Sequence, residues 1–181
     1  TKILDPDAYL CQLADVFNGI TVNPPSFSAI VAIISAGVLL LASGFASASE
    51  IAFFSLSPSD LNEIEERNHP SDEKISSLLG DSESLLATVL ITNNFVNVTI
   101  IMLCNFFFMN VFVFHSAIAE FLILTVVLTF LLLLFGEIMP KIYSAQKTLA
   151  FCRFAAPGIC VLQKIFRPVS SLLVHSTAFL N

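Results

Sequence analysis

The stretch IAEFLILTVVLTFLLLLFGEIMPK, residues 118–141, decides the fold. Ile118 to Phe135 is an 18-residue apolar run with one charge, Glu120, near its start. A run of that length and composition reads as a membrane-spanning helix. It closes on Gly136, Glu137, Ile138, Met139, Pro140 and Lys141. A carboxylate at or just inside the hydrocarbon edge is costly, so Glu137 is a candidate functional residue. Pro140 has no N–H. The carbonyl of Gly136, four residues back, therefore loses its helical partner and is pushed aside by the ring. A free carbonyl beside a carboxylate is a pair of oxygen ligands for a cation.

Composition agrees with a membrane protein. Of 181 residues, 56% are hydrophobic and 12% charged, where a soluble domain carries about 25% charged residues. There are 18 phenylalanines and no tryptophan, so the usual interfacial tryptophan belt is missing. A net charge of −6 argues against nucleic acid as a partner. Cys11, Cys104, Cys152 and Cys160 have no metal-ligand spacing and read as free thiols filling apolar space. The first 25 residues are polar and lack the basic-then-apolar start of a signal peptide. The chain stops at Asn181 inside a helix-like pattern, so a longer parent protein is expected.

Outward from the deciding stretch, three spans are predicted: about Ser28 to Phe54, about Leu85 to Phe108 or Phe114, and about Ala117 to Phe135. A fourth apolar segment, Leu149 to Phe166, contains Arg153, Gln163, Lys164 and a Pro157-Gly158 break. Basic residues at helical spacing beside apolar ones suit a helix lying in the interface. Basic residues also set orientation. Lys2 precedes the first span, and Arg67 and Lys74 lie between the first two. None lies between the second and third. Lys141, Lys147, Arg153, Lys164 and Arg167 follow the third, with no acid after them. The expectation is an N-terminus outside, a C-terminus in the cytoplasm and a multi-pass protein of the cell (inner) membrane. The cytosolic stretch Ser57 to Ser84 carries eight acids against two bases. It predicts two short helices, about Ser59–Arg67 and Ser71–Leu79, separated by the stop signal Asn68-His69-Pro70. It is either a solvated face or a cation-attracting vestibule.

The spans contain few polar residues. Ser43 and Ser47 share one helix face amid small residues, and serve either close helix packing or a site. Asn93 and Asn97 share a face, with Asn94 about 100° away. Either these amides bond between helices or at least one amide oxygen faces a site. Glu137 either binds a cation or is neutralised by Lys141 one turn on. Glu120 and His115 read as outer-mouth residues, and His69 and His175 have no second histidine at ligand spacing. Hydroxyl, amide, carbonyl and carboxylate oxygens without histidine or cysteine suit hard cations such as magnesium, calcium or sodium. With one strong anion, binding should be modest, as transport requires.

These residues resemble the transmembrane domain of the CNNM/CorC family of magnesium transporters. Ser43-Gly44-Phe45-Ala46-Ser47-Ala48-Ser49-Glu50-Ile51-Ala52 is similar to the family's first-helix motif. The second-helix motif is matched by Leu85 through Asn97, and the signature closing the third helix by Gly136-Glu137-Ile138-Met139-Pro140-Lys141. The resemblance covers about Ser28 to Phe166. Thr92 stands where members commonly have glycine. The resemblance implies an all-α membrane homodimer: three transmembrane helices per subunit, two short cytosolic helices and an amphipathic juxtamembrane helix. Residues 1–27 would be extracytoplasmic, 28–147 the transmembrane core and 148–181 the juxtamembrane helix leading to cytosolic CBS domains. It implies magnesium (Mg2+) transport, with export coupled to sodium (Na+) in some members. Ser43, Ser47, Asn94, the Gly136 carbonyl and Glu137 would be ligands, with Asn93 and Asn97 as further candidates. The alternative is a non-transporting membrane scaffold for a cytosolic regulatory module. An enzyme is the weakest class, since no nucleophile–base pair or second buried acid stands beside Glu137.

Overall fold

The computed structural model describes residues 20–66, 69–114 and 117–178. Lys2, Cys11, Arg67, Asn68 and His115, named above, lie outside them, as do the side chains of Arg167 and His175. The described chain is that of an all-α membrane protein with one short ribbon. Strand β1 (Ile20–Val22) leads to α1 (Phe27–Phe54), the short helices α2 (Pro58–Glu65) and α3 (Asp72–Gly80), and α4 (Ser82–Val111). Strand β2 (Phe112–Phe114) follows. The third apolar stretch is α5 (Ala117–Phe121), a π-helical turn at Leu122–Val127, α6 (Leu128–Leu132), a second π-helical turn at Leu133–Ile138, and α7 (Met139–Gln146). Helix α8 (Thr148–Ala178) ends the described chain.

The 28 residues of α1 and the 30 of α4 give lengths of about 42 and 45 Å at 1.5 Å per residue. Both exceed a hydrocarbon core of about 30 Å. Their lipid-compatible surface is plain: Leu41, Phe95 and Met102 are all exposed. Among the described residues, four helical stretches are long and apolar enough to cross a membrane: Phe27–Phe54, Ser82–Val111, Leu124–Gln146 and Thr148–Phe166.

Three details differ from the sequence expectation. First, the second span does not run on to Phe114. Phe112–Phe114 leaves the helix and pairs antiparallel with Ile20–Val22, in the register Ile20↔Phe114. β-branched and aromatic residues favour such a ribbon, and Asn23 N–H donates to the Val111 carbonyl at 2.7 Å beside it. Second, the third helix continues past the Gly-Glu-Pro region to Gln146. Proline sits in the first turn of α7, and the Met139 N–H reaches back five residues to the Leu134 carbonyl. The widened π turn absorbs the donor that proline lacks. Third, Pro157-Gly158 does not break α8. Gly158 is there for close approach, since a Cβ on it would lie 2.9 Å from the Phe45 ring.

Two compact units emerge. One takes the described residues up to Val38 together with those of Thr99–Leu131, and contains the ribbon. The other takes the described residues of Leu39–Val98 and those from Leu132 on. Its core is a contiguous cluster including Phe53, Ile64, Ile75, Leu78, Leu85, Val89, Cys152 and Ile159. Ser57 starts α2 with a capping box: its Oγ accepts from Asp60 N–H at 3.2 Å, and its own N–H donates to Asp60 Oδ2 at 2.9 Å. The Ser57 hydroxyl, donating to Asp60 Oδ2 at 2.6 Å, and then the Ser57 N–H hold the Asp60 carboxyl below its usual range. Asp72 opens α3 and accepts from the His69 N–H at 3.0 Å. It is 0% exposed. Its carboxylate takes Arg153 Nε at 2.8 Å and Nη2 at 3.1 Å. This fork from α8 pulls the Asp72 carboxyl below its ordinary value, against the opposing effect of burial.

Candidate functional site

The second unit gathers most of the polar residues singled out in the sequence. Ser43 and Ser47 are both fully buried on one face of α1. Ser43 Oγ lies 3.0 Å from Asn93 Oδ1 and 2.6 Å from Asn97 Oδ1. Ser47 Oγ donates to the same Asn93 oxygen at 3.2 Å. Asn97 then donates its Nδ2 to Glu137 Oε1 at 3.2 Å. One continuous polar chain thus links α1, α4 and the second π-helical turn.

Its hydrogen count is short. A serine hydroxyl carries one proton. With the Asn93 and Asn97 amides oriented oxygen-first toward Ser43, one of those close oxygen pairs lacks a hydrogen at any instant. Such a surplus of lone pairs in a buried place is costly unless something positive satisfies it.

Gly136 completes the approach. It is buried, and a Cβ on it would lie 3.2 Å from Ser43 Oγ and 3.4 Å from Leu40 Cδ1. A Cβ on Gly44 would lie 3.0 Å from Pro140 Cγ. Two glycines therefore bring the backbones of α1 and the π-turn segment together, and bring the Gly136 peptide against the serine. Glu137 is half-buried.

Asn94 is not brought to this cluster. It is exposed, and its Nδ2 donates to the Leu90 carbonyl of its own helix at 3.0 Å. Thr92, in the position where glycine was expected, turns its hydroxyl to the Thr88 carbonyl at 2.7 Å. Ser49 likewise bonds the Phe45 carbonyl. Lys141 pairs with Glu50 of α1 at 3.1 Å, so the alternative partner considered for Glu137 is engaged elsewhere. That pairing had a faint signal in the sequence: Glu50 lies in the serine motif and Lys141 ends the proline motif. Among the described residues no group of three or more His, Cys, Asp or Glu side chains could hold a metal ion. The cluster is thus one of neutral oxygens with a single carboxylate.

Apolar helices of membrane-crossing length around a buried hydroxyl–amide–carboxylate chain define a multi-pass membrane protein with a polar intramembrane site. The family model for the cyclin M transmembrane N-terminal domain matches residues 34–181. The chain belongs to this CNNM family. It is also 30% identical over 136 residues to a UPF0053 protein of Haemophilus influenzae. That match covers 75% of this chain and 31% of the relative, so the chain spans under a third of that protein's length.

Proposed function

We propose that this chain is the membrane core of a transporter that carries magnesium through the Ser43–Asn93–Asn97–Glu137 cluster. The family is associated with metal-ion transport, and the observation that carries the proposal is the proton-poor meeting of Ser43 Oγ with two amide oxygens. Ser43, Ser47, Asn93 and the Gly136 carbonyl would supply neutral oxygens, and Glu137 the charge. Asn97 would hold Glu137 in place. Hard cations favour all-oxygen sets. A site with one carboxylate leaves a divalent ion undercompensated, so release stays easy.

Alternating access would turn on the widened third helix, where irregular backbone lines the site rather than facing lipid. The proposed topology has three spans, the N-terminus outside, and α8 along the cytoplasmic interface. Support comes from Arg153, which α8 commits to Glu63 and Asp72 on the acid-rich short helices. A crossing α8 would carry those helices toward the hydrocarbon. A homodimer, sodium coupling and export belong to the same proposal.

Glu137→Ala should weaken magnesium binding by at least about tenfold, read by isothermal titration and by flux in proteoliposomes. Unchanged binding and flux would sink the assignment. The rival is a scaffold in which the Ser–Asn bonds serve only as interhelical links. A scaffold's melting temperature should ignore millimolar magnesium, whereas a transporter's should rise.

A further inference from the structure

The basic residues after Glu137 differ in what holds them. Lys141 pairs with Glu50, and Arg153 with Glu63 and Asp72. Lys147, at the junction of α7 and α8, is exposed and has no acid partner among the described residues. Beside it is a cavity of about 300 Å³ lined by Tyr143, Lys147, Ala150, Phe151 and Phe154. Tyr143, Phe151 and Phe154 also line a second cavity of about 400 Å³ that reaches Gly44 and Pro140. No charged side chain lines that second cavity. The two cavities share these three aromatic side chains and are read as one groove, with a free ammonium at one end and the Tyr143 phenol on the shared wall.

We propose that this groove seats one anionic glycerophospholipid. Its phosphate rests on Lys147 and Tyr143, and one acyl chain lies along Phe151 and Phe154 toward Gly44 and Pro140. Inside a bilayer an apolar groove is filled by acyl chains, because these are the solvent there. The choice of an anionic headgroup follows from charge. No acidic residue occurs in the sequence from Lys141 to Asn181, and basic pockets between helices on one membrane face bind acidic headgroups. The groove's floor is the Gly44–Pro140 approach, and Ser43 is the next residue along α1. Lipid in the groove would thus bear on the backbone that carries the serine. That last link rests on the cation proposal, whereas the lipid site itself does not.

The test uses the purified chain in detergent with EDTA, so that no divalent ion contributes. Dioleoylphosphatidylglycerol and dioleoylphosphatidylcholine are titrated separately, and retained lipid is counted by native mass spectrometry. Wild type should retain the anionic phosphatidylglycerol preferentially. Lys147→Gln should cut that preference by about fivefold, the share of one lysine near a charged lipid. Phe154→Ala should lower retention of both lipids, and Lys164→Gln, outside the groove, should leave the preference intact. A preference that survives Lys147→Gln overturns the proposal. So does an equal loss in Lys164→Gln, which would mark diffuse surface charge. Glu137→Ala should keep the wild-type preference, so a failed cation site and a failed lipid site give different results.

Discussion

Asn97 stands between a hydroxyl and a carboxylate. Its oxygen faces Ser43 and its nitrogen faces Glu137, so the amide can orient in only one way. Removing it frees Glu137 to swing and leaves Ser43 with Asn93 alone. Asn97→Ala should therefore weaken magnesium binding about 10–100-fold, the usual cost of losing a group that orients a ligand. Asn94→Ala should change it by no more than about twofold, since an exposed amide bonded to its own helix contributes little. Titration calorimetry on both variants checks the contrast. That Asn93 and Asn97 share a face, turned from Asn94, follows from helical period and was legible in the sequence. Which of them meets the serines was not. The motif resemblance alone favours Asn94 as a ligand, whereas the rotation of α4 about its axis is set by packing on α1 and brings Asn93 and Asn97 inward.

At the level of the element, the third helix departs from a regular α-helix where Glu137 sits. Its second π-helical turn, Leu133–Ile138, runs directly into Pro140. An apolar run followed by Gly-Glu and a proline one turn on announces both a span and a backbone irregularity. It does not announce that the irregularity is a π turn that lets the helix continue, because that depends on which carbonyl the Met139 N–H finds. Gly136 makes the turn fit against α1. In Gly136→Ala the methyl would crowd Ser43 Oγ and Leu40 Cδ1, and the neighbours would have to give by a few tenths of an ångström. Magnesium affinity should fall about tenfold, since sub-ångström displacement of a ligand is felt strongly. Gly37→Ala is the control. A Cβ at Gly37 meets nothing within 4 Å. Helix propensity alone should then stabilise by up to about 1 kcal/mol, with binding unchanged. Melting temperatures and binding isotherms for the pair separate the two effects.

Across the whole molecule, the apolar runs that form the spans can be read directly, but the bonds that fasten α8 to the short helices cannot. An acid-rich loop, Ser57 to Ser84, and a basic segment that begins at Lys141 predict attraction without naming partners. The structure names them: Arg153, with its side chain 19% exposed, forks onto Asp72, with 0% exposed, and reaches Glu63 at 2.9 Å. Because the folded Asp72 carboxyl is held below its ordinary value, its contribution is complete at neutral pH. It is lost as pH falls below about 4 and through the depressed folded value. In Arg153→Ala the carboxylate stays buried without its cation, which should cost about 3–5 kcal/mol at pH 7. Burial alone raises a carboxyl's pKa, so the sign of the linkage reverses. Mild acid should then recover part of the lost stability by protonating Asp72, while wild type gains nothing there. Melting curves of both proteins in nanodiscs from pH 7 to pH 4 test this. A parallel pH dependence in the two would mean that Arg153 does not hold Asp72 in the membrane-embedded protein. The support that this pair lends to an interfacial α8 would then be gone.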